Sequence, residues 1–386
     1  MAEKYTVLDR KRVMLSEWYD EFNPFNSKKA MIYGRRFEGI LNEDYFPPVV
    51  VNLDVTSRCQ YKCVWCHHRR KQIGDRDLPD LPERLLKTFP YFVANWKRRD
   101  ERVLGVCIVG SRGDALLYKG LPWLLRNLHY NNIDVGLVTN GYGFNTKLIN
   151  HAVFYSKFIG MSVDAGEEKT YQAVHNCPPD GWKRILLNIE ALTNLIAKNE
   201  LRNDVGYKFL IFPQNQYEVY SACRIARETG CRYIQIRPAD LPESARQEIN
   251  VDAVNDQIQK AMSDFTEPGK FDVVGVRHKF TPDLKKRLPK YCYLTALTVT
   301  ITCDGKAWPC VDRRYDEETL LADCGQYGWQ ALKEVWGSQK HIDIVHRVIN
   351  RGGKGPDCNI RCSNYGYDVL FTQVFSDEDK MDRRMI

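Results

Sequence analysis

Long apolar runs are missing from this 386-residue chain. No stretch reaches the roughly 18 consecutive apolar residues of a membrane-spanning helix, which argues against a membrane protein. The first twenty residues, MAEKYTVLDRKRVMLSEWYD, are charged throughout, so no secretory leader is expected. Solenoid repeats and low-complexity segments are also lacking, which removes array and disordered-linker architectures. Cysteine, by contrast, is plentiful at 13 residues. In a chain expected to be cytoplasmic, that many thiols point to metal binding or redox chemistry before disulfides.

Composition is that of an ordinary globular protein, 44% hydrophobic and 27% charged. The net charge of +7 is a mild basic excess, compatible with an anionic substrate or an acidic redox partner, and equally with simple solubility. The basic clusters Arg69-Arg70-Lys71 and Lys285-Lys286-Arg287 are short and isolated. Nucleic acid is therefore not the expected partner.

Six β-branched runs alternate with helical patterns: Val49–Val55, Val103–Gly110, Ile133–Thr139, Phe158–Val163, Val205–Phe212 and Tyr233–Arg237. The clearest helix places Trp182, Ile185, Leu186, Ile189, Leu192 and Ile196 on one stripe. This alternation predicts βαβ units, a parallel sheet and an α/β partial barrel of six repeats, with functional residues at the carboxyl ends of the strands. A short amphipathic helix is expected near Lys11–Phe22. Past residue 265 the pattern changes. A strand-like run, Phe271–Val276, is followed by a hairpin of Thr298–Thr302 and Lys306–Trp308 around Asp304-Gly305. A last amphipathic helix carries Trp329, Leu332, Val335, Trp336, Ile344, Val345 and Val348. The implied organisation is a lead-in (1–48), the barrel (49–240), a connecting segment (241–290), a smaller cysteine-bearing domain (291–375) and a charged tail (376–386).

Cys59, Cys63 and Cys66 follow the first strand with the spacing C-x3-C-x2-C. Three thiolates from one loop leave one iron of a four-iron cubane without a protein ligand, open to a cofactor or substrate. Structural zinc sites and most protein-held clusters are closed by four ligands. The competing reading is a Cys3His zinc knuckle completed by His67 or His68, but the usual zinc spacings set the second ligand pair further downstream.

With Trp65 before the third cysteine, the motif resembles that of the radical S-adenosylmethionine (SAM) superfamily. The resemblance implies that Cys59, Cys63 and Cys66 hold a [4Fe-4S] cluster and that SAM binds its open iron. In Gly110-Ser111-Arg112-Gly113-Asp114-Ala115, Gly113 and Asp114 stand where the family has a Gly-Glu pair that holds the SAM amino group. Thr139-Asn140-Gly141 resembles a family loop near the active site, and Ser162-Val163-Asp164 one that reaches the SAM ribose or the substrate. Trp65, Gly113, Asp114, Thr139, Asn140, Ser162 and Asp164 are thus the expected cofactor-binding residues. Lys208 and Arg237 are candidates to meet the SAM carboxylate or a substrate anion, and Cys177 a candidate hydrogen-atom donor.

The second half resembles the SPASM/twitch extension of that superfamily, through Cys292, the hairpin Gly305-Lys306-Ala307-Trp308-Pro309-Cys310, the helix ending at Trp336, and Cys358 and Cys362. The 17 residues between Cys292 and Cys310 match the layout of 2-deoxy-scyllo-inosamine dehydrogenases. Cys292, Cys310, Cys358 and Cys362 would close a second [4Fe-4S] cluster, with Cys324 a possible substitute for the last ligand. Cys107, Cys223 and Cys231 are expected to be packing residues.

The function that the resemblance implies is reductive cleavage of SAM and hydrogen abstraction from a small polar substrate, with an anionic, phosphorylated or nucleotide-like molecule as the candidate. The second cluster would assist a two-electron, dehydrogenase-like oxidation, and a flavodoxin or ferredoxin would supply electrons. Epimerisation or rearrangement of a sugar or nucleotide, and modification of a ribosomal peptide, are the enzyme alternatives. A zinc or iron–sulfur nucleic-acid-binding protein is the non-enzyme alternative.

Overall fold

The computed structural model describes residues 33–66, 78–110, 113–239, 241–275 and 292–347. The expected helix near Lys11–Phe22, Cys358, Cys362 and the segment 376–386 lie outside them.

Seven strands run parallel in chain order: β1 Val50–Asp54, β2 Gly105–Val109, β3 Asp134–Thr139, β4 Phe158–Ser162, β5 Asp204–Ile211, β6 Tyr233–Pro238 and β7 Asp272–Gly275. The six expected strands are all present, and the strand-like run after residue 270 adds the seventh. Helices cross between them: α1 Glu83–Asn95, α2 Leu121–Tyr130, α3 Thr146–Tyr155, then α4 Glu168–His175 and α5 Gly181–Lys198 in one connection, α6 Val219–Glu228, and α7 Val251–Phe265. The alternation of each strand sorts its side chains. Leu53, Val106, Ile108, Leu137, Ile159, Tyr207, Phe209, Ile234 and Ile236 are buried on one face. Asn52, Asp54, Cys107, Ser162, Lys208, Gln235 and Arg237 take the other. Cys107 therefore differs from the expectation of a core residue. It shares the polar, interior face of the barrel because Val106 and Ile108 occupy the packed face.

The C-terminal hairpin extends the same sheet. β8 Thr298–Ile301 pairs parallel with β1, Asn52 opposite Thr300, on the edge away from β2. β9 Lys306–Trp308 and β10 Ala322–Asp323 continue it antiparallel, giving ten strands in one sheet. The Asp304-Gly305 turn forms as expected, with Gly305 at φ +86°, where a Cβ would meet the Gly325 backbone at 2.7 Å. The single expected helix is instead two, α8 Trp329–Val335 and α9 Gln339–Arg347, broken at Gly337 (φ +79°). The break lets Trp336 turn inward and donate its indole N–H to the Phe46 carbonyl at 2.7 Å. Val348 lies outside the described residues.

His341 locks this end of the molecule. It is fully buried beside Trp336 (ring centroids 4.2 Å apart) and Tyr45 (5.1 Å). Its Nδ1 accepts from the Gly337 amide and its Nε2–H donates to the Thr295 carbonyl, so the ring is neutral. Burial pushes its pKa down to about 4 from 6.5. A depressed histidine contributes stability that is present above its unfolded pKa and lost as pH falls through the folded one. The shift corresponds to about 3 kcal/mol. Urea denaturation between pH 7 and pH 4 is expected to show a steeper stability loss for the wild type than for His341→Phe. Parallel curves would refute this.

Candidate active site at the cysteine loop

Residues 55–66 leave the carboxyl end of β1 and turn over the barrel mouth. The loop is pinned from three sides. Val64 N–H donates to the Val174 carbonyl (2.9 Å), Leu81 N–H to Val55 (2.9 Å), and Asp114 N–H to Arg58 (2.8 Å). Gly113 packs so closely under the loop that a Cβ there would lie 2.1 Å from the Thr56 carbonyl oxygen. Only glycine permits this approach. Gly113 thus positions the loop through its own lack of a side chain.

Cys59, Cys63 and Cys66 are partly buried free thiols. They sit close enough for the charges of Cys59 and Cys66 to raise the Cys63 pKa, and for that of Cys66 to raise that of Cys59. Burial is the larger cause and pushes Cys59 up to about 12. Both groups are therefore neutral thiols until a metal displaces the proton. Cys63 Sγ lies 3.2 Å from Nδ1 of His175, a buried residue whose Nε2–H donates to the Val163 carbonyl at 2.8 Å. With its proton fixed on Nε2, His175 turns its lone pair to the Cys63 thiol. The histidine is buried and neutral, its pKa lowered to about 4 by desolvation. Nothing in the sequence marks it, since it comes from α4 and meets the loop only in the fold. Trp65 stacks on Phe212 at the end of β5, with centroids 6.0 Å apart and planes at 12°.

Asp114, Thr139 and Asn140 do come together, but they satisfy one another. The buried Asp114 carboxylate accepts from Thr139 Oγ1 (2.8 and 2.9 Å), Asn140 N–H (2.7 Å) and Leu116 N–H (3.0 Å). Burial raises its pKa, against these hydrogen bonds. Asn140 Oδ1 accepts from Tyr142 N–H (3.0 Å) and Gln60 Nε2 (3.0 Å), and its Nδ2 faces Cys59 Sγ at 3.6 Å. This network braces the ends of β2 and β3 against the cysteine loop.

Further along the mouth, Ser162 pairs in register with Lys208, Lys208 with Gln235, and Leu210 with Arg237. Asp164 is buried in the left-handed region (φ +53°), and its Oδ1 accepts from Leu210 N–H at 2.7 Å. Burial lifts its pKa to about 7, against the hydrogen bond from Leu210 and the charges of Arg237 and Lys208. Lys208 Nζ reaches Gln235 Oε1 at 3.5 Å and lies 5.4 Å from the centroid of the Phe158 ring. Its pKa is lowered to about 8 by burial and by the Arg237 charge. Cys177 is half-buried at the α4–α5 loop, its thiol donating to Gln172 Oε1 at 3.3 Å. Burial pushes it up to about 11, so it is a thiol at neutral pH.

Cys292 is buried at the turn into β8, and Cys310 follows β9. Thr300 faces Trp308, so the continued register sets Cys310 level with Thr298, at the open end of the hairpin. Cys324 lies at the other end, its N–H donating to the Gly305 carbonyl at 2.9 Å. Five residues of extended strand, about 16 Å, separate that level from Cys310. Cys324 is packed in the hydrophobic core and does not join Cys310. Among the described residues, no group of three or more His, Cys, Asp and Glu side chains converges as a site for a single metal ion. A polynuclear cluster does not need that convergence. Three soft thiols carried on one short loop fit an iron–sulfur cluster with Cys59, Cys63 and Cys66 as ligands.

No family model and no curated protein matches the chain. Solved structures do. SuiB of Streptococcus suis, bound to the precursor peptide SuiA, aligns with a TM-score of 0.60 at 14% identity, over 83% of this chain and 72% of that one. SuiB bound to S-adenosylmethionine aligns at 0.60 and 13%, over 90% and 80%. anSMEcpe with bound AdoMet and Kp18Cys peptide aligns at 0.59 and 12%, over 85% and 98%. At such identities the likeness is one of fold. The chain shares with these proteins a mostly parallel α/β partial-barrel fold, its sheet continued by the C-terminal hairpin.

Proposed function

We propose that this protein is a radical SAM enzyme that abstracts a hydrogen atom from a polar substrate held at the barrel mouth. The observation that carries the reading is the thiol trio of Cys59, Cys63 and Cys66 on one braced loop at the carboxyl end of β1. Cys59, Cys63 and Cys66 would hold a four-iron cluster, which together with SAM would supply radical chemistry able to attack an unactivated C–H bond. The chain's own part is to hold and orient. Gly113 and the Asp114–Thr139–Asn140 network fix the loop, and the Trp65–Phe212 stack walls one side. Ser162, Asp164, Lys208 and Arg237 line the interior face at the level where a substrate enters. Lys208 and Arg237 favour a substrate with an anionic group.

Cys292 and Cys310, with Cys358 and Cys362, are the residues that would hold a second cluster. An electron acceptor there favours a net two-electron oxidation, with a flavodoxin or ferredoxin reducing the first cluster. A peptide substrate is the second reading. It is favoured by the fold shared with SuiB and anSMEcpe, both of which bind peptides in the aligned structures.

Anaerobic reconstitution with iron and sulfide, followed by dithionite and SAM, tests the reading. The expected result is about eight irons per chain and SAM-dependent 5′-deoxyadenosine and methionine, measured by mass spectrometry. Stoichiometric zinc in place of iron, or reconstituted protein that leaves SAM intact, would overturn it.

A further inference from the structure

The barrel interior is an open chamber, and a lysine points to its floor. Asn52, Cys107, Ser162, Lys208 and Arg237 face inward and all keep some exposure, whereas Leu53, Ile108 and Phe209 on the packed face have none. Lys208 is level in register with Ser162, but its side chain runs away from the cysteine loop. Its Cε lies where a Cβ on Gly160, nearer the amino end of β4, would come within 2.4 Å. Its Nζ is 5.4 Å from the ring of Phe158, the first residue of that strand. Glycine at 160 is what leaves room for this path.

That ammonium is under-matched. Among the described residues its one hydrogen-bond partner is Gln235 Oε1, at 3.5 Å, and no carboxylate lies within ion-pair distance of it. Asp164 acts on it only at longer range and commits Oδ1 to Leu210 N–H. Arg237 differs, since the charges of both Asp164 and Asp312 support it. An ammonium can only donate, so Gln235 turns its oxygen to Lys208 and its Nε2 the other way. Gln235 is 2% exposed, and its Nε2 has no partner among the described residues. A buried amide donor and a cation without a counter-ion thus sit side by side, an arrangement that is costly until an acceptor answers both.

We propose, on the radical SAM reading above, that Lys208 and Gln235 seat a carboxylate of the substrate on the chamber floor. One oxygen takes the ammonium and the other the amide N–H, so a single negative charge answers a single positive one. The substrate then enters acid end first and offers its far end to the cysteine loop. Anchoring at the floor fixes which carbon is held for attack. SAM, bound at the loop, is not the partner, because Lys208 turns its ammonium away from that end. Gly160 is a positioning residue that sets the path of the lysine.

The test is anaerobic cyanate labelling of the cluster-loaded protein, with carbamylation of each lysine read by peptide mass spectrometry. Acetate is the probe, beside chloride and inorganic phosphate at equal ionic strength. Acetate is expected to slow labelling of Lys208 about tenfold at ten times its half-protecting concentration, and to leave the exposed Lys97 unaffected. Phosphate should protect only at higher concentration, and chloride not at all. Gln235→Glu supplies the acid from the chain itself, so Lys208 should label slowly with or without acetate. Gly160→Ala, which displaces the ammonium, should raise the half-protecting concentration several-fold; an unchanged value would remove its positioning role. The seat is overturned by labelling that acetate does not slow, by tighter protection from phosphate, by protection from SAM, or by a lysine that cyanate never reaches. Acetate protection that persists in Gln235→Glu would overturn it too. Protein that cleaves SAM yet shows no acetate protection sinks this inference alone. Acetate protection in protein that takes up no iron would keep the carboxylate seat and sink the radical SAM reading.

Discussion

Replacing Cys59, Cys63 and Cys66 together by alanine is expected to remove about four of about eight irons per chain and to abolish SAM cleavage. The three thiols are the loop's only soft donors, and iron–sulfur clusters are held by cysteine thiolates. The fold should survive. The loop is fastened by main-chain bonds to Val174, Leu81 and Asp114 that alanine leaves in place. Matched circular dichroism and urea midpoints for variant and unloaded wild type would establish this, and 5′-deoxyadenosine formation should fall to the protein-free background. Retained cleavage by the triple variant would remove the basis of the proposed function. Cluster loading itself should weaken as pH falls. Burial holds Cys59 near pKa 12 and Cys63 well above its usual value, so each must release a proton to bind iron. The iron content after reconstitution at pH 6 should lie well below that at pH 8.5.

The strands were legible because each is a short β-branched run flanked by turn residues, and the parallel order follows from the helices between them. The cysteine loop was legible because its spacing is local. What the sequence hid is non-local. β8 joins β1 edge to edge across more than 240 residues, and no local pattern announces a parallel partner at that separation. Asp114 illustrates a second kind of loss. An acid after glycine at a strand end is read as a cofactor ligand with a turn cap as the competing reading, and its donors Thr139, Asn140 and Leu116 converge on it only in the fold. Asp54 does carry a signal in the sequence, an acid inside the apolar run VVNLDV.

Removing the partner of that acid carries the second large effect. Asp54 is the last residue of β1, five residues before Cys59, and Arg314 comes four residues after Cys310. The two meet as a two-pronged ion pair with Arg314 Nε to Oδ2 at 2.9 Å and one terminal nitrogen to Oδ1 at 3.0 Å. Both side chains are buried, so the pair joins the two cysteine-bearing regions through the barrel interior. Burial raises the Asp54 pKa to about 6, with the Arg314 guanidinium pulling it down. Arg314→Met should therefore cost about 3–5 kcal/mol at pH 8, because a buried carboxylate loses its guanidinium. The double change Asp54→Asn with Arg314→Met should recover most of that loss, since no buried charge then remains. The pH dependence separates this from mere loss of packing. Without Arg314 the folded-state pKa of Asp54 rises further above its unfolded value. Such a group contributes stability that is present at low pH and lost as pH rises through the folded pKa. The deficit of Arg314→Met against wild type should thus be largest at pH 8 and above, and should shrink toward pH 5 as Asp54 takes up a proton in the variant. Urea midpoints at three pH values measure it. A deficit that stays constant from pH 5 to 8.5 would show that Arg314 acts by packing alone and that Asp54 never bears its charge.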